Sequence, residues 1–302
     1  MEYIGVLKVL YFMSFGSMGV LFPIIPIFYE ELGFSKTNIG ILTAIPPVMT
    51  FLCGPLWSVL FDAKKWHGIG TQLTQLSSAA ATTLAVLVTS FPTMVGVVTA
   101  SSILRAPVSA QVDAHTIGLL RGKYGDVRLY GAVGYGLLSF AGGTMTGDDA
   151  SDFDAVFFLY ALFSIFTGYV LLATRLGEGG EHGSAAGAKG SSMSRDLRGG
   201  GTEGAPPIPL MDALTTCFSQ PPVATFMLVM VIAGTAFGIV ESFLFIRLKE
   251  LGASGLLLGT ARLIMCGSEV PMFKLAPRIH RRIGTWQLLL FTQIIFFKEM
   301  VR

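Results

Sequence analysis

Long apolar runs alternate with short polar connections along the whole chain, and the length of the runs decides its class. A helix needs about 20 predominantly apolar residues to cross the hydrocarbon core of a bilayer. Eight runs of that size follow one another, over 4–29, 38–61, 70–90, 92–112, 127–146, 153–174, 222–246 and 254–273. A ninth begins at Thr285 and reaches Phe297, where the chain meets Lys298, Glu299 and Arg302. The apolar stretch from Val9 to Tyr29 is too long for the core of a signal peptide, and no small-residue cleavage site closes it, so it reads as a first span. The pattern predicts an all-α polytopic membrane protein.

One segment breaks the alternation. From Leu176 to Pro207 the sequence is rich in Gly, Ser and Ala with scattered charges, including Gly199-Gly200-Gly201. Such a stretch has too little apolar area to bury and reads as a flexible linker. The chain then divides into a six-span bundle over 1–175, a linker over 176–210, and a second, incomplete bundle over 211–302 with spans seven, eight and part of nine.

Charge sharpens the picture. Only 13% of the 302 residues are charged, against about 25% in an ordinary soluble domain, and mean hydropathy is +0.65. Placement matters more than the formal net charge of +2. One set of alternate connections holds Lys64, Lys65, Arg121, Lys123, Arg128, Arg175, Lys189, Arg195, Arg198, Lys274, Arg278, Arg281 and Arg282. The other holds Lys36, Arg247 and Lys249, and carries the acidic pairs Glu30-Glu31 and Asp148-Asp149. Connections rich in Lys and Arg stay in the cytoplasm, which puts the N-terminus and the linker inside.

The chain also repeats itself. Glu31-Leu32-Gly33-Phe34-Ser35 follows span one, with Gly40 five residues on; Glu250-Leu251-Gly252-Ala253-Ser254 follows span seven, with Gly259 five residues on. A basic turn comes later in each copy, Asp62 to Gly68 and Pro277 to Gly284. The unit is six spans and both copies run the same way, a parallel repeat of the kind found in secondary transporters.

Six spans, a cytoplasmic linker and a second six-span half resemble the major facilitator superfamily. Gly54 to Lys65 looks like that superfamily's signature between spans two and three: Asp62, Lys64 and Lys65 stand in place, while Ser58 replaces the usual Gly. The resemblance implies that Asp62, Lys64 and Lys65 support the contacts that control state switching. Tyr124 to Gly136 is similar to the start of span five in the lactose-permease branch, as are Phe22-Pro23 and the stretch from Ala276 to Gly284. The resemblance implies twelve spans in a full member, so this chain reads as ending after the start of span nine.

Ionised groups inside spans are costly and tend to face the bundle interior, where they mark a pathway. Arg105 lies in the middle of span four; it either offers a solute its fixed fork of donors or pairs structurally with Gln111 or Asp113. Arg128 opens span five. In the lactose-permease branch the matching Arg holds sugar hydroxyls and an aromatic seven residues on stacks on the ring, a place held here by Tyr135; the plainer reading of Arg128 is an inside-loop charge. That branch's acidic partner is absent at Ala110, and Asp113 is its nearest substitute. Glu269, before Pro271 in span eight, is costly as an anion at membrane depth, which suits a group that binds and releases a proton; the alternative is a hydrogen-bonded structural Glu. Glu241 reads as a gate or interface residue. Arg262 and Glu269, seven residues apart on one helix, are placed to share a partner network. Lys8 is expected to snorkel to the cytoplasmic edge, and His67 and His280 to lie solvated in turns.

Gly131, Gly134 and Gly136 invite close helix packing, and Pro23, Pro46, Pro47 and Pro107 invite kinks. Cys53, Cys217 and Cys266 lie in apolar runs without disulfide or metal spacing and read as free core thiols. No P-loop, HExxH, GxSxG or paired-cysteine motif is present, so no cofactor, metal or nucleic-acid partner is expected and the chain does not read as an enzyme. The reading is a secondary active transporter of a small polar, sugar-like solute, coupled to protons or another ion, working by alternating access in a lipid bilayer. The alternative is a non-transporting receptor or scaffold with the same fold.

Overall fold

Proline and glycine set where the predicted runs bend and stop. The computed structural model describes residues 2–120, 124–147, 153–174, 215 and 219–300, and every regular element among them is helical. α1 (Glu2–Leu21) and α2 (Ile25–Glu31) make the first span and part at Pro23; Pro26 sits in the first turn of α2, where its missing N–H costs nothing. α5 (Phe91–Arg105) and α6 (Val108–Leu120) make the fourth and part at Pro107. A proline ring removes one ladder hydrogen bond and crowds the preceding turn. α3 (Lys36–Lys64) nevertheless runs unbroken through Pro46, Pro47 and Pro55. α4 (His67–Leu84) closes in a 3-10 turn over Ala85–Leu87, and α7 (Tyr124–Met145), α8 (Asp154–Ala173), α9 (Pro221–Glu250), α10 (Gly255–Ile283) and α11 (Thr285–Met300) complete the order.

Six of these spans are long and apolar enough to cross a membrane: Ile4–Glu31, Lys36–Lys64, Phe91–Leu120, Asp154–Ala173, Pro221–Glu250 and Gly255–Leu275. The runs expected over 70–90 and 127–146 are also helical, as α4 and α7, but more polar. Their polarity faces inward. α4 buries Thr71, Thr74, Gln75 and Ser78, and Thr71 and Thr74 return their hydroxyls to the carbonyls of His67 and Gly70 at 2.5 and 2.9 Å. α7 buries glycine instead. It packs between α1 and α10, and a Cβ on Gly134 or Gly142 would run into the α1 carbonyls of Phe12 and Val20. On its other side Gly143 lies against Gly255 and Gly259 of α10. Ser139 donates to the Gly19 carbonyl at 2.8 Å, fastening α7 to α1. The small residues thus do what the sequence suggests, letting backbones meet.

The described residues of 2–174 and 241–300 form one compact unit; those of 215–240 belong to a second. In the second, the first twenty residues of α9 form a helix whose Thr225 and Thr235 hydroxyls bond to the carbonyls of Pro221 and Val231. The linker expected over 176–210 lies outside the described residues, as does Cys217. Cys53 is half-buried and Cys266 buried, both as free thiols.

The two repeated loops have one geometry. Gly33 and Gly252 take φ of +79° and +86°, the left-handed region that glycine enters without a Cβ penalty. The Gly33 and Phe34 N–H groups donate to Glu30 and Tyr29, and those of Gly252 and Ala253 to Lys249 and Leu248, the paired bonds of a Schellman end. Ser35 and Ser254 then cap the following helices by accepting from the N–H groups of Asn38 and Leu257 at 3.2 and 3.4 Å. These loops also pair with each other, and reciprocally. Lys249 binds Glu31 and Lys36 binds Glu250, while Arg247 adds a bond to Glu250 at 2.9 Å. Each copy gives its Glu to a lysine of the other.

Candidate functional site

A cavity of about 540 Å³ opens inside the larger unit, lined from every helix between α1 and α8 and by Glu241 of α9. That volume lies within the range of small-molecule sites, about 300–1,000 Å³. Its wall combines apolar side chains with hydroxyls such as Ser14, Thr43, Ser102 and Ser109, and it holds two arginines and two acidic residues: Arg105, Arg128, Asp113 and Glu241.

Each charge is held by its neighbours. Arg105 ends α5 beside the break at Pro107 and donates to the Gln75 side-chain oxygen at 3.3 Å, with its guanidinium 5.7 Å from the Phe22 ring centroid. The alternative partners Gln111 and Asp113 are engaged elsewhere. Gln111 meets the His67 ring at 3.2 Å, and Asp113 accepts from the Tyr11 hydroxyl at 2.5 Å. The Arg128 guanidinium carbon stands over the Phe15 ring, 3.9 Å from its centroid. The cavity therefore carries two guanidinium groups backed by aromatic rings, and a carboxylate with accepting capacity left beyond its Tyr11 bond.

Three of the expected site residues thus meet at one cavity, and two do not. Tyr135, seven residues beyond Arg128, lies about two turns along the helix and stays outside the cavity lining. It faces Arg262, whose guanidinium stands 5.3 Å from the Tyr135 ring centroid. Glu269 is exposed on α10 and is also outside the lining. Arg262, expected to share a partner network with Glu269, is buried and binds Glu241 through both terminal nitrogens, one bond measuring 3.0 Å. Twenty-one residues separate the pair, so it depends on how α9 and α10 pack and not on one helix face.

Asp62, Lys64 and Lys65 stand at the α3–α4 turn. Lys65 caps α3 in the left-handed region at φ +54°, and its N–H and that of Trp66 return to Asp62 and Phe61. Asp62 lies 3.5 Å from the His67 ring, and His67 reaches on to Gln111 of α6. His67, expected to be solvated, is a half-buried link from this turn to the fourth span; its neighbour Lys64 is exposed. Ser58, where the signature has Gly, folds its hydroxyl back onto the Gly54 carbonyl at 3.2 Å. Lys8 sits 4.8 Å over the Tyr130 ring centroid, and His280 is exposed.

Sequence reasoning missed Phe15, Phe22, Tyr11 and Gln75 as site residues. The seven-residue spacing of Phe15 and Phe22 in the first span was the available signal, but an apolar span offers many such pairs. It also missed the joining of Glu241 to Arg262, for which only their rarity as charges in spans spoke.

The chain matches the MFS_1 like family over residues 4–301. It is 28% identical over 298 residues to the maltose permease of Geobacillus stearothermophilus, covering 96% of this chain and 68% of that protein. The uncharacterized transporter YwbF of Bacillus subtilis (strain 168) is 23% identical over 145 residues, 46% of this chain and 36% of that one. Among solved structures, the crystal structure of the nucleoside transporter NupG superposes with a TM-score of 0.68 at 16% identity, covering 95% of this chain and 70% of that chain. A mutant form of NupG gives 0.67. At that identity the likeness is one of fold.

Proposed function

The chain belongs to the MFS_1 like family, and on that premise we propose that its cavity carries a small, uncharged, hydroxyl-rich solute across the membrane by alternating access, coupled to protons. It is an integral, multi-pass membrane protein of the MFS transporter type and not an enzyme. The observation that carries the solute class is the balance of the lining. Two guanidinium groups and two carboxylates face one cavity, one of the carboxylates already paired with Arg262 behind the wall, so the lining offers donors and acceptors together, as a hydroxyl-rich solute requires. Arg105 and Arg128 donate, Asp113 and Glu241 accept, and Phe15 and Phe22 back the donors. A maltose permease and a nucleoside transporter among the similar proteins fit that class, since both solutes are uncharged and rich in hydroxyls.

Alternating access in a repeat-built carrier is a rocking of one half against the other around the site. In this reading the halves are residues 1–175 and 211–302, joined by a cytoplasmic linker over 176–210, with the N-terminus inside. The reciprocal pairs Lys249–Glu31 and Lys36–Glu250 then close the outer side, and the Asp62, Lys64 and Lys65 turn works on the inner side. Protons are carried by Asp113, in the cavity wall, and by Glu269 on α10. The test is uptake of radiolabelled maltose and uridine into proteoliposomes, with and without a pH gradient. We expect one of them to accumulate, and more so with the interior alkaline. Entry of neither overturns the solute class; uptake indifferent to the gradient overturns the coupling.

A further inference from the structure

We infer that Glu241 is a solute-contacting acceptor that sets selectivity for neutral over anionic solutes, and that Arg262 is the buried positioning residue that holds it there. This rests on the neutral-solute reading of the cavity. The two residues differ in access. Arg262 has 5% of its side chain exposed and is absent from the cavity lining, whereas Glu241 keeps 31% exposed and is part of it. The guanidinium is fixed on several sides. It binds both Glu241 oxygens and lies 5.3 Å from the Tyr135 ring centroid and 5.1 Å from that of Phe245. Tyr135 is therefore a partner of the arginine and not a platform for the solute.

A carboxylate offers about four lone-pair sites, so the two taken by a bidentate arginine leave others for solute O–H or N–H groups. Arg262 cannot reach the solute itself, but its planar fork fixes both oxygens in a way a lysine does not. The pair stays aimed only while both members are present, because Arg262 alone is a costly buried ion and Glu241 alone loses the fork that orients it. Glu241 cancels the charge of Arg262 at that wall, so the wall does not draw anions while the pair is intact, and Arg105 and Arg128 on the other elements supply the donors.

The test measures binding of radiolabelled maltose and uridine to the full chain in nanodiscs, with the thermal midpoint of each variant beside it. E241Q and R262Q are each expected to weaken binding of the solute that the wild type holds at least tenfold, with R262K intermediate. Both single neutral variants lower the midpoint. The double variant E241Q/R262Q recovers the midpoint, having no unpaired ion, but binds no better than E241Q. In E241Q the ratio of competition by glucuronate against glucose, and by uridine monophosphate against uridine, shifts toward the anion several-fold. A double variant that regains binding along with stability shows a structural pair and overturns the inference, as does an unchanged anion ratio. A wild type that binds neither probe instead overturns the neutral-solute reading on which the inference rests.

Discussion

Adding one methyl group at Gly143 should loosen the bundle, although the same change elsewhere should tighten it. A Cβ on Gly143 would lie 2.5 Å from the Gly255 carbonyl oxygen, 2.7 Å from the Gly259 nitrogen and 2.8 Å from the Gly259 Cα. Ordinary carbon contacts begin near about 3.5 Å, so α10 must retreat by roughly 0.7–1 Å along the face it shares with α7. All three obstructing atoms are backbone, so no rotamer change relieves them. Overpacking of this kind costs about 1–3 kcal/mol. Gly96, exposed within α5, has nothing within 4 Å of its added Cβ, and Ala there gains about 0.5–1 kcal/mol from reduced backbone entropy. Thermal unfolding in detergent, followed by tryptophan fluorescence and by reactivity of the buried thiol Cys266, reads both. The midpoint of Gly143→Ala should fall and that of Gly96→Ala should rise, each by roughly 2–4 °C per kcal/mol. Equal shifts of the same sign would refute the close α7–α10 approach.

Other expectations follow from the site and its supports. Arg128→Lys keeps the charge but loses the planar fork held over Phe15, and should cut solute affinity about tenfold, in line with about 1.5–3 kcal/mol for hydrogen bonds to charged groups; equilibrium binding checks it. Asp113→Asn should abolish stimulation of uptake by a pH gradient while counterflow without a gradient persists. Glu31→Lys and Lys249→Glu should each open the outer side, raising alkylation of cysteines placed in the cavity from that side a few-fold, and the double swap should restore the wild-type rate. Lys65→Gly, at φ +54°, should raise the thermal midpoint slightly, since a left-handed L-residue costs about 1 kcal/mol or more.

Much of this architecture was legible because its causes are local. Apolar run length placed the helices, and Pro23 and Pro107 marked the breaks within spans one and four. The Glu-Leu-Gly loops were legible as a repeat, but their left-handed glycines and serine caps became visible only in the backbone. Arg105, Arg128 and Asp113, which line the cavity, were legible as candidates because charge in a span needs a reason. Pairing was not legible. Arg105 takes Gln75, 30 residues back, Arg262 takes Glu241 on the preceding helix, and Tyr135 turns to Arg262. These choices depend on the rotation of each helix about its axis, which small residues such as Gly134 and Gly143 set through backbone contacts made far along the chain. The aromatic rings behind the arginines, Phe15 and Phe22, look in sequence like any phenylalanine facing lipid.

Solute protection of a single cysteine tests the central claim most directly. Ser109 lines the cavity, and Ala110 beside it on α6 is exposed but does not. With Cys53, Cys217 and Cys266 replaced by Ser, Ser109→Cys and Ala110→Cys are alkylated with a small charged maleimide, with and without saturating maltose or uridine. The account predicts that one of these solutes slows modification at 109 several-fold and leaves 110 unchanged. Equal rates at 109 with and without either solute, or equal protection at both positions, would contradict it.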